Sequence, residues 1–419
     1  MSRIEATPPV DQSSCVPASD IAAIAELGEA QKADNPYFGK ILDTDGHMYI
    51  EPEPLGELLR GLPDPGGFIM KFLKSYSGSD ADREARAHNR EKLWDTKGIS
   101  ALGATDAADR VEALKRMGVR SQFIFANSFS AELRMNTPAA FEACRRYNDY
   151  AFDWARLGGD PDRLRMVAQI NTGSFEFAYA ELQRVAKMGA KAISLPCAKP
   201  PGGVSPSHNM WDPFWALCQE ADIVATLHLG AGGLTASTVA EDPMLPDRGW
   251  SDSPSLKVPP ANRTGGEEAV SPYFLLVAHI PAETFLISAV MGGLFERFPN
   301  LRFGMFEFGT DWIGPTVKRM DAWASFLTKV AGVRYSLKPS EFVRRNVRTS
   351  PFFHEDFAAT AEQYGLHEIF CVMTDYPHLE GGRNPFGSYM KTASRLGSKF
   401  TNDFFQENAK WLFPDLAAV

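Results

Sequence analysis

Four short stretches of this chain carry residue types able to hold a metal ion. The first reads Asp43-Thr44-Asp45-Gly46-His47. Strand side chains alternate between faces, so Asp43, Asp45 and His47 would share one face, and two donors spaced i, i+2 at a strand end can grip one ion. Taken alone, Asp45-Gly46 is equally a turn. The second, Val224-Ala225-Thr226-Leu227-His228, ends an apolar run with a histidine on the face of Val224 and Thr226, where a hydrogen-bonded core histidine is the plain alternative. The third, LRFGMFEFG from Leu301 to Gly309, embeds Glu307 among phenylalanines, on the parity of Leu301, Phe303 and Met305. A carboxylate there is costly unless it pairs with an arginine or binds a cation. The fourth, Thr374-Asp375-Tyr376-Pro377-His378, closes an apolar run with an aspartate that could also cap a helix or an Asx-turn.

What must position these residues is legible in the hydrophobic pattern. From Lys40 onward, short apolar runs alternate with longer amphipathic stretches, the pattern of a mostly parallel sheet wrapped by helices. Strands are expected at about Lys40–His47, Val119–Asn127, Arg165–Asn171, Lys191–Pro196, Ile223–Leu229, Leu301–Phe308, Asn346–Phe352 and Glu368–Asp375. Helices are expected over Thr137–Leu157, Phe175–Met188, Ala282–Phe298, Asp311–Val330 and Pro385–Leu396. The order counts out to a (β/α)8, TIM-like α/β barrel over residues 37–419, preceded by an arm at 1–36 rich in Pro, Ser and Ala. An open doubly wound sheet is the runner-up, but no G-x-G-x-x-G turn follows the first strand. In a barrel the strand ends converge on one mouth. Asp45, His47, His228, Glu307 and Asp375 all fall at such ends, which core histidines and capping aspartates have no joint reason to do. Two long insertions, 56–105 with its charged piece DADREARAHNREKLW and the Gly/Pro/Ser-rich 230–270, follow strands one and five and would lie over that mouth as a lid.

Composition narrows the partners. A formal net charge of −9 argues against a nucleic-acid or anionic-membrane partner. The five cysteines are far apart and form no C-x-x-C pair, so neither a disulfide framework nor a structural zinc site is indicated, and a reducing compartment is expected. The first residues lack a basic start followed by an apolar run, and no apolar stretch reaches the ~18 residues of a membrane span, so a cytoplasmic protein is expected. Ser350 and the cysteines have no neighbouring base, which disfavours a covalent nucleophile.

Three passages in order, LDTDGHMYIEP, ETFLISAVMGGLFERFPNLRFGMFEFGTDW and TDYPH, resemble the amidohydrolase superfamily, in the branch that includes metal-dependent decarboxylases, over about Ile41 to Leu396. The resemblance implies Asp45, His47, His228 and Asp375 as metal ligands. It breaks at Glu307, where the decarboxylases usually have a histidine followed by glycines. Glu51 and His378 bear on the number of ions. If both reach the mouth, four carboxylates and three imidazoles exceed what one ion can use; two divalent ions with bridging carboxylates fit, and four negative charges offset two dications. Such oxygen-rich sets suit Fe or Mn. Otherwise Glu51 is a surface residue before Pro52, and His378 a hydrogen-bond partner of Asp375. Lys191 stands at the wrong end of its strand to bridge two metals.

The seven-residue set, Asp45, His47, Glu51, His228, Glu307, Asp375 and His378, is similar to that of a small group of amidohydrolase-fold nonheme diiron monooxygenases of bacterial platensimycin/platencin diterpenoid biosynthesis. That resemblance implies two iron ions, with Glu307, Asp375 and His378 at the chemistry. It also implies O2-dependent hydroxylation of a bulky apolar substrate, such as a diterpenoid acid carried as its CoA ester. Electrons would come from an external donor such as a ferredoxin–reductase pair, and a homodimer is expected. The alternative is a hydrolase or decarboxylase acting on a small carboxylated or acyl substrate, with one Zn or Mn ion and Asp375 as general base.

Overall fold

The structure, a computed structural model, describes residues 35–62, 93–126, 136–229, 250, 253, 272–378 and 380–416. Residues 1–34 of the arm, most of the charged piece near 80–94 and nearly all of 230–270 lie outside the described residues.

The apolar runs become parallel strands hydrogen-bonded in sequence order: β1 Ile41–Met48, β2 Val119–Ala126, β3 Leu164–Gln169, β4 Ala192–Leu195, β5 Val224–His228, β6 Phe303–Phe306 and β7 Val347–Thr349. Most are buried along their whole length, as parallel strands covered on both faces must be. The expected eighth strand is not a ladder. Its residues run between β7 and β1 and touch each through single bridges, Thr349 with Phe370 and Gly46 with Tyr376. Hydrogen bonds from Cys371 N to Thr349 O (2.9 Å) and from Thr44 N to Val372 O (3.1 Å) complete the link, so the sheet curls back on itself with an irregular last stave.

The helices start and stop where local chemistry dictates. Asp106, Thr137 and Ser174 each accept a hydrogen bond from the first turn of the helices Ala107–Met117, Pro138–Leu157 and Phe175–Lys187. The single helix expected over Ala282–Phe298 is two, Ile280–Met291 and Leu294–Arg297, because Gly293 takes a left-handed φ of 77°. Outward-facing strand residues such as Ile124, Ala168, Ile193 and Leu227 pack against the helices. Inward-facing Leu42, Phe123, Val167, Ala192 and Val224 form a second core with Ala409, Leu412, Phe413 and Leu416, so the C-terminal segment plugs the floor of the barrel. Among the described residues no helix is long and apolar enough to cross a membrane.

Candidate metal centre

Two irregularities in the backbone build the site. The register of β1 slips between Asp43 and Gly46. The slip moves Asp45 and His47 into the mouth and leaves Asp43 on another course, bonded to Gln122 and Thr374, so the three do not share one face. Glu307 is the second case. Phe303 and Met305, whose parity it shares, belong to the outer core, while Phe306 points inward. Glu307 nonetheless reaches the mouth because its φ of 64° ends the strand and swings its side chain round. Asp375 also has a positive φ, 50°. A left-handed conformation costs a non-glycine residue about 1–3 kcal/mol, and such strain collects at functional sites.

Six of the seven expected ligands meet. Asp45, His47, His228 and Glu307 form one group whose donor atoms all lie within 4.8 Å of one another; His47, Glu307, Asp375 and His378 form a second, by the same measure. The groups share His47 and Glu307, and all six residues are buried. His47 Nε2 sits 3.3 Å from Asp45 Oδ1 and 3.4 Å from Asp375 Oδ1. His228 Nε2 is 3.0 Å from Asp45 Oδ1, and its Nδ1 is 2.6 Å from Leu229 O and 3.4 Å from Glu307 Oε2. His378 Nδ1 is 3.0 Å from Asp375 Oδ1 and 3.7 Å from Glu307 Oε1, and its ring stacks on His47 at 3.7 Å. Phe125 closes the inner side, its ring 4.2 Å from that of His228.

Glu51 belongs to neither group. It stands half-buried at the start of the helix Pro52–Leu58 and accepts from Thr105 Oγ1 at 3.2 Å. Three clustered carboxylates leave a net charge of −1 with one dication and +1 with two. The charge balance expected from four carboxylates therefore no longer selects two ions.

Burial and close contact shift the ionisation of groups in the cluster. Burial, reinforced by Asp375, pushes Glu307 up to about 8. Burial alone would lower His228, but Asp45 and Glu307 hold it up at about 9. His47 is lowered by burial and by the neighbouring His378. Burial works against ionised Asp45 and Asp375, yet the imidazoles keep both below the ordinary carboxylate range. Meanwhile Asp45 Oδ2, both ring nitrogens of His47 and both carboxylate oxygens of Asp375 are buried without a hydrogen bond among the described residues. Buried polar atoms are rarely left so, and the donor set fits a divalent cation. With His228 Nδ1 donating to Leu229 O, Nε2 is left to face the ion, the usual outer support for a metal-bound imidazole.

Sequence reasoning missed Arg110 and Gln122, which lie behind the ligands and are fully buried. Gln122, a polar residue inside the strand VRSQFIFA, was the one available signal.

Comparison with known proteins agrees with this architecture. No curated protein matches the chain. Among solved structures, an amidohydrolase from Mycobacterium avium subsp. paratuberculosis K-10 superposes with a TM-score of 0.63 at 17% identity, covering 89% of this chain and 98% of that one. 5-Carboxyvanillate decarboxylase from Sphingomonas paucimobilis gives 0.59 at 16%, covering 89% and 98%. A dihydroxybenzoic acid decarboxylase from Polaromonas sp. JS666, with bound manganese and an inhibitor, gives 0.56 at 17%, covering 89% and 96%. At these identities the likeness speaks for the fold. The sequence model described as Amidohydrolase matches residues 92–414, more than half the chain, and the chain belongs to that family.

Proposed function

We propose that this chain is a metal-dependent enzyme that hydrolyses or decarboxylates a small carboxylated or acyl substrate. The observation that carries the reading is the buried cluster of three carboxylates and three imidazoles at the barrel mouth, with orphaned donor atoms aimed into it. Similar folds support it: two of the three are decarboxylases of aromatic acids, one of them with bound manganese. Asp45, His47, His228 and Asp375 would hold the ion, with Glu307 and His378 beside it. A bound Mn or Zn ion supplies Lewis acidity toward a carboxylate, ester or amide oxygen. The chain's own part is proton handling and exclusion of water. Glu307 and His378 are the groups placed to move a proton: His378 Nδ1 lies 3.7 Å from Glu307 Oε1 and 3.0 Å from Asp375 Oδ1.

A second reading, the diiron monooxygenase, is favoured by one observation: the two donor groups overlap at Glu307, the position where the decarboxylases usually carry histidine. It requires two iron ions, O2 and an external ferredoxin-type donor. Its substrate would be large and apolar, such as a diterpenoid acid as its CoA ester. Metal analysis of protein carrying its native load, followed by anaerobic assays with hydroxybenzoates and aryl esters, separates the two. One Mn or Zn per chain with turnover lacking O2 and reductant supports the first. Two irons per chain, with O2 consumed only when reductant is supplied, overturns it in favour of the second.

A further inference from the structure

We infer that Arg110, Gln122 and Asp43 are a positioning group that sets the distance between the two pairs of metal ligands, Asp45 with His47 and Asp375 with His378. The inference rests on the metal-centre reading above. Arg110, from the helix Ala107–Met117, is completely buried. A buried guanidinium is costly unless its donors are well used. Among the described residues its fork meets four carbonyl-type oxygens: Gly103 O at 2.8 Å, Gln122 Oε1 at 3.0 Å, Tyr376 O at 3.5 Å, and His47 O. One of these belongs to a ligand and another to the residue that follows one, so a single side chain holds both walls.

Gln122 passes the connection on. Its oxygen faces Arg110, so its amide nitrogen faces the other way, donating to Asp43 Oδ2 at 2.7 Å and Thr374 Oγ1 at 3.2 Å. Asp43 then accepts from Thr374 N (2.8 Å), Thr374 Oγ1 (2.5 Å) and Asp45 N (3.2 Å). Both last donors abut or belong to ligands. Gly46 makes room for this arrangement: a Cβ there would lie 2.3 Å from Gln122 Nε2.

These bonds act where the sheet is least regular. β1 and β2 share an extended ladder, whereas β1 and the closing segment share one bridge, Gly46 with Tyr376, and three backbone hydrogen bonds, from Thr44 N to Val372 O, Asp375 N to Asp45 O and His47 N to Tyr376 O. His47 Nε2 must sit 3.3 Å from one carboxylate on its own strand and 3.4 Å from another on that segment. The backbone bonds keep the two segments side by side, and the side chains behind them brace the ligand-bearing residues of both. Outer partners of metal ligands typically change metal affinity by about 10–100-fold.

The test uses the full-length chain, stripped with chelator and titrated with Mn2+ alone. Free Mn2+ is followed by electron paramagnetic resonance at a temperature well below the thermal midpoint. Gln122→Met and Arg110→Lys should bind Mn2+ about 10–100-fold more weakly than the parent, with an altered spectrum at saturation. A merely structural role would lower the melting temperature and leave both readouts unmoved. Should either variant fail to fold, Thr374→Val removes only one hydroxyl of the group and should weaken Mn2+ binding in the same direction. Folded Gln122→Met, or in its place Thr374→Val, with parental affinity and spectrum overturns the positioning role alone. A parent that binds Mn2+ no better than Asp45→Asn sinks the metal-centre reading beneath it.

Discussion

The two ends of the barrel are lined from the same strands and could hardly differ more. At the floor, Phe413 stacks on Phe123 with centroids 4.2 Å apart, and Leu412 and Leu416 fill the space around them. Polar pairs brace it: Arg348 Nε donates to Asn408 O at 3.2 Å, and Asn408 Nδ2 to Phe370 O at 2.9 Å. At the mouth, six titratable residues crowd together, two of them with strained backbone, and five of their side-chain atoms have no hydrogen bond among the described residues. The floor is held chiefly by apolar packing, the mouth by a crowd of carboxylates and imidazoles. A buried polar cluster with unpaired atoms is costly in a low-dielectric interior, and this donor set suits a divalent cation.

Paired substitutions break this comparison if it is wrong. Glu307→Gln should reduce turnover by about 100- to 10,000-fold through loss of the proton-handling carboxyl beside the ion. In chelator-stripped protein near pH 7 it should leave the melting temperature almost unchanged, because burial already favours the protonated carboxyl that glutamine mimics. Phe413→Ala should do the reverse, costing about 3–5 kcal/mol of stability in denaturant titrations while Mn2+ affinity stays at the parental value. If Phe413→Ala weakens metal binding as much as Glu307→Gln does, the ends are not independent.

The pH dependence sharpens the contrast. Glu307 rises to about 8 in the folded state, so the stability tied to its protonated form is present below its ordinary range and is lost as pH rises through about 8. His228 rises to about 9, so its contribution is complete below about 6.5 and is lost as pH rises through about 9. Both act in one direction. The stripped protein should melt several degrees lower at pH 9 than at pH 6, and Glu307→Gln should flatten the slope. Saturating Mn2+ should flatten it too, since a bound cation favours the deprotonated donors. A melting temperature that is level or rises with pH in the stripped protein would contradict the reading of the mouth.

What the sequence disclosed and what it hid follow the same division. Apolar runs bounded by polar residues located each of the seven strands, because burial on both faces demands them, and strand ends in a barrel must converge. His228 was placed correctly by alternation within β5, a strand without irregularity. Alternation failed where the backbone breaks its own period. The slip in β1 separates Asp43 from Asp45 and His47, and the left-handed turn at Glu307 brings into the mouth a residue that strict parity would send outward. The turn at Glu307 has no sequence signature, since a non-glycine residue takes it; the slip ends at Gly46, which marked a turn without showing which residues it would separate. Glu51 looked like a ligand by proximity to His47, yet the helix that begins at Pro52 carries the chain away. Arg110 lay beyond reach for a different reason: its acceptors come from segments up to 266 positions away, and only the folded chain brings them together.

The smallest expected effect tests whether the floor is as inert as it looks. Arg165 Nη1 pairs with Asp415 Oδ2 at 2.7 Å and Arg165 Nη2 with Asp162 Oδ1 at 3.1 Å, tying the C-terminal segment to the foot of β3. Asp415 is 35% exposed, so solvent screens the pair. Asp415→Asn keeps a hydrogen-bond acceptor and removes one charge, and should cost less than about 1 kcal/mol by thermal or denaturant unfolding. Its effect on Mn2+ affinity should be undetectable, because the paired charges lie at the opposite end of the barrel from the ligands and an apolar plug separates them. A tenfold loss of affinity from so mild a change would mean that the plug transmits strain along the strands, and the division between an apolar floor and a polar mouth would have to be abandoned.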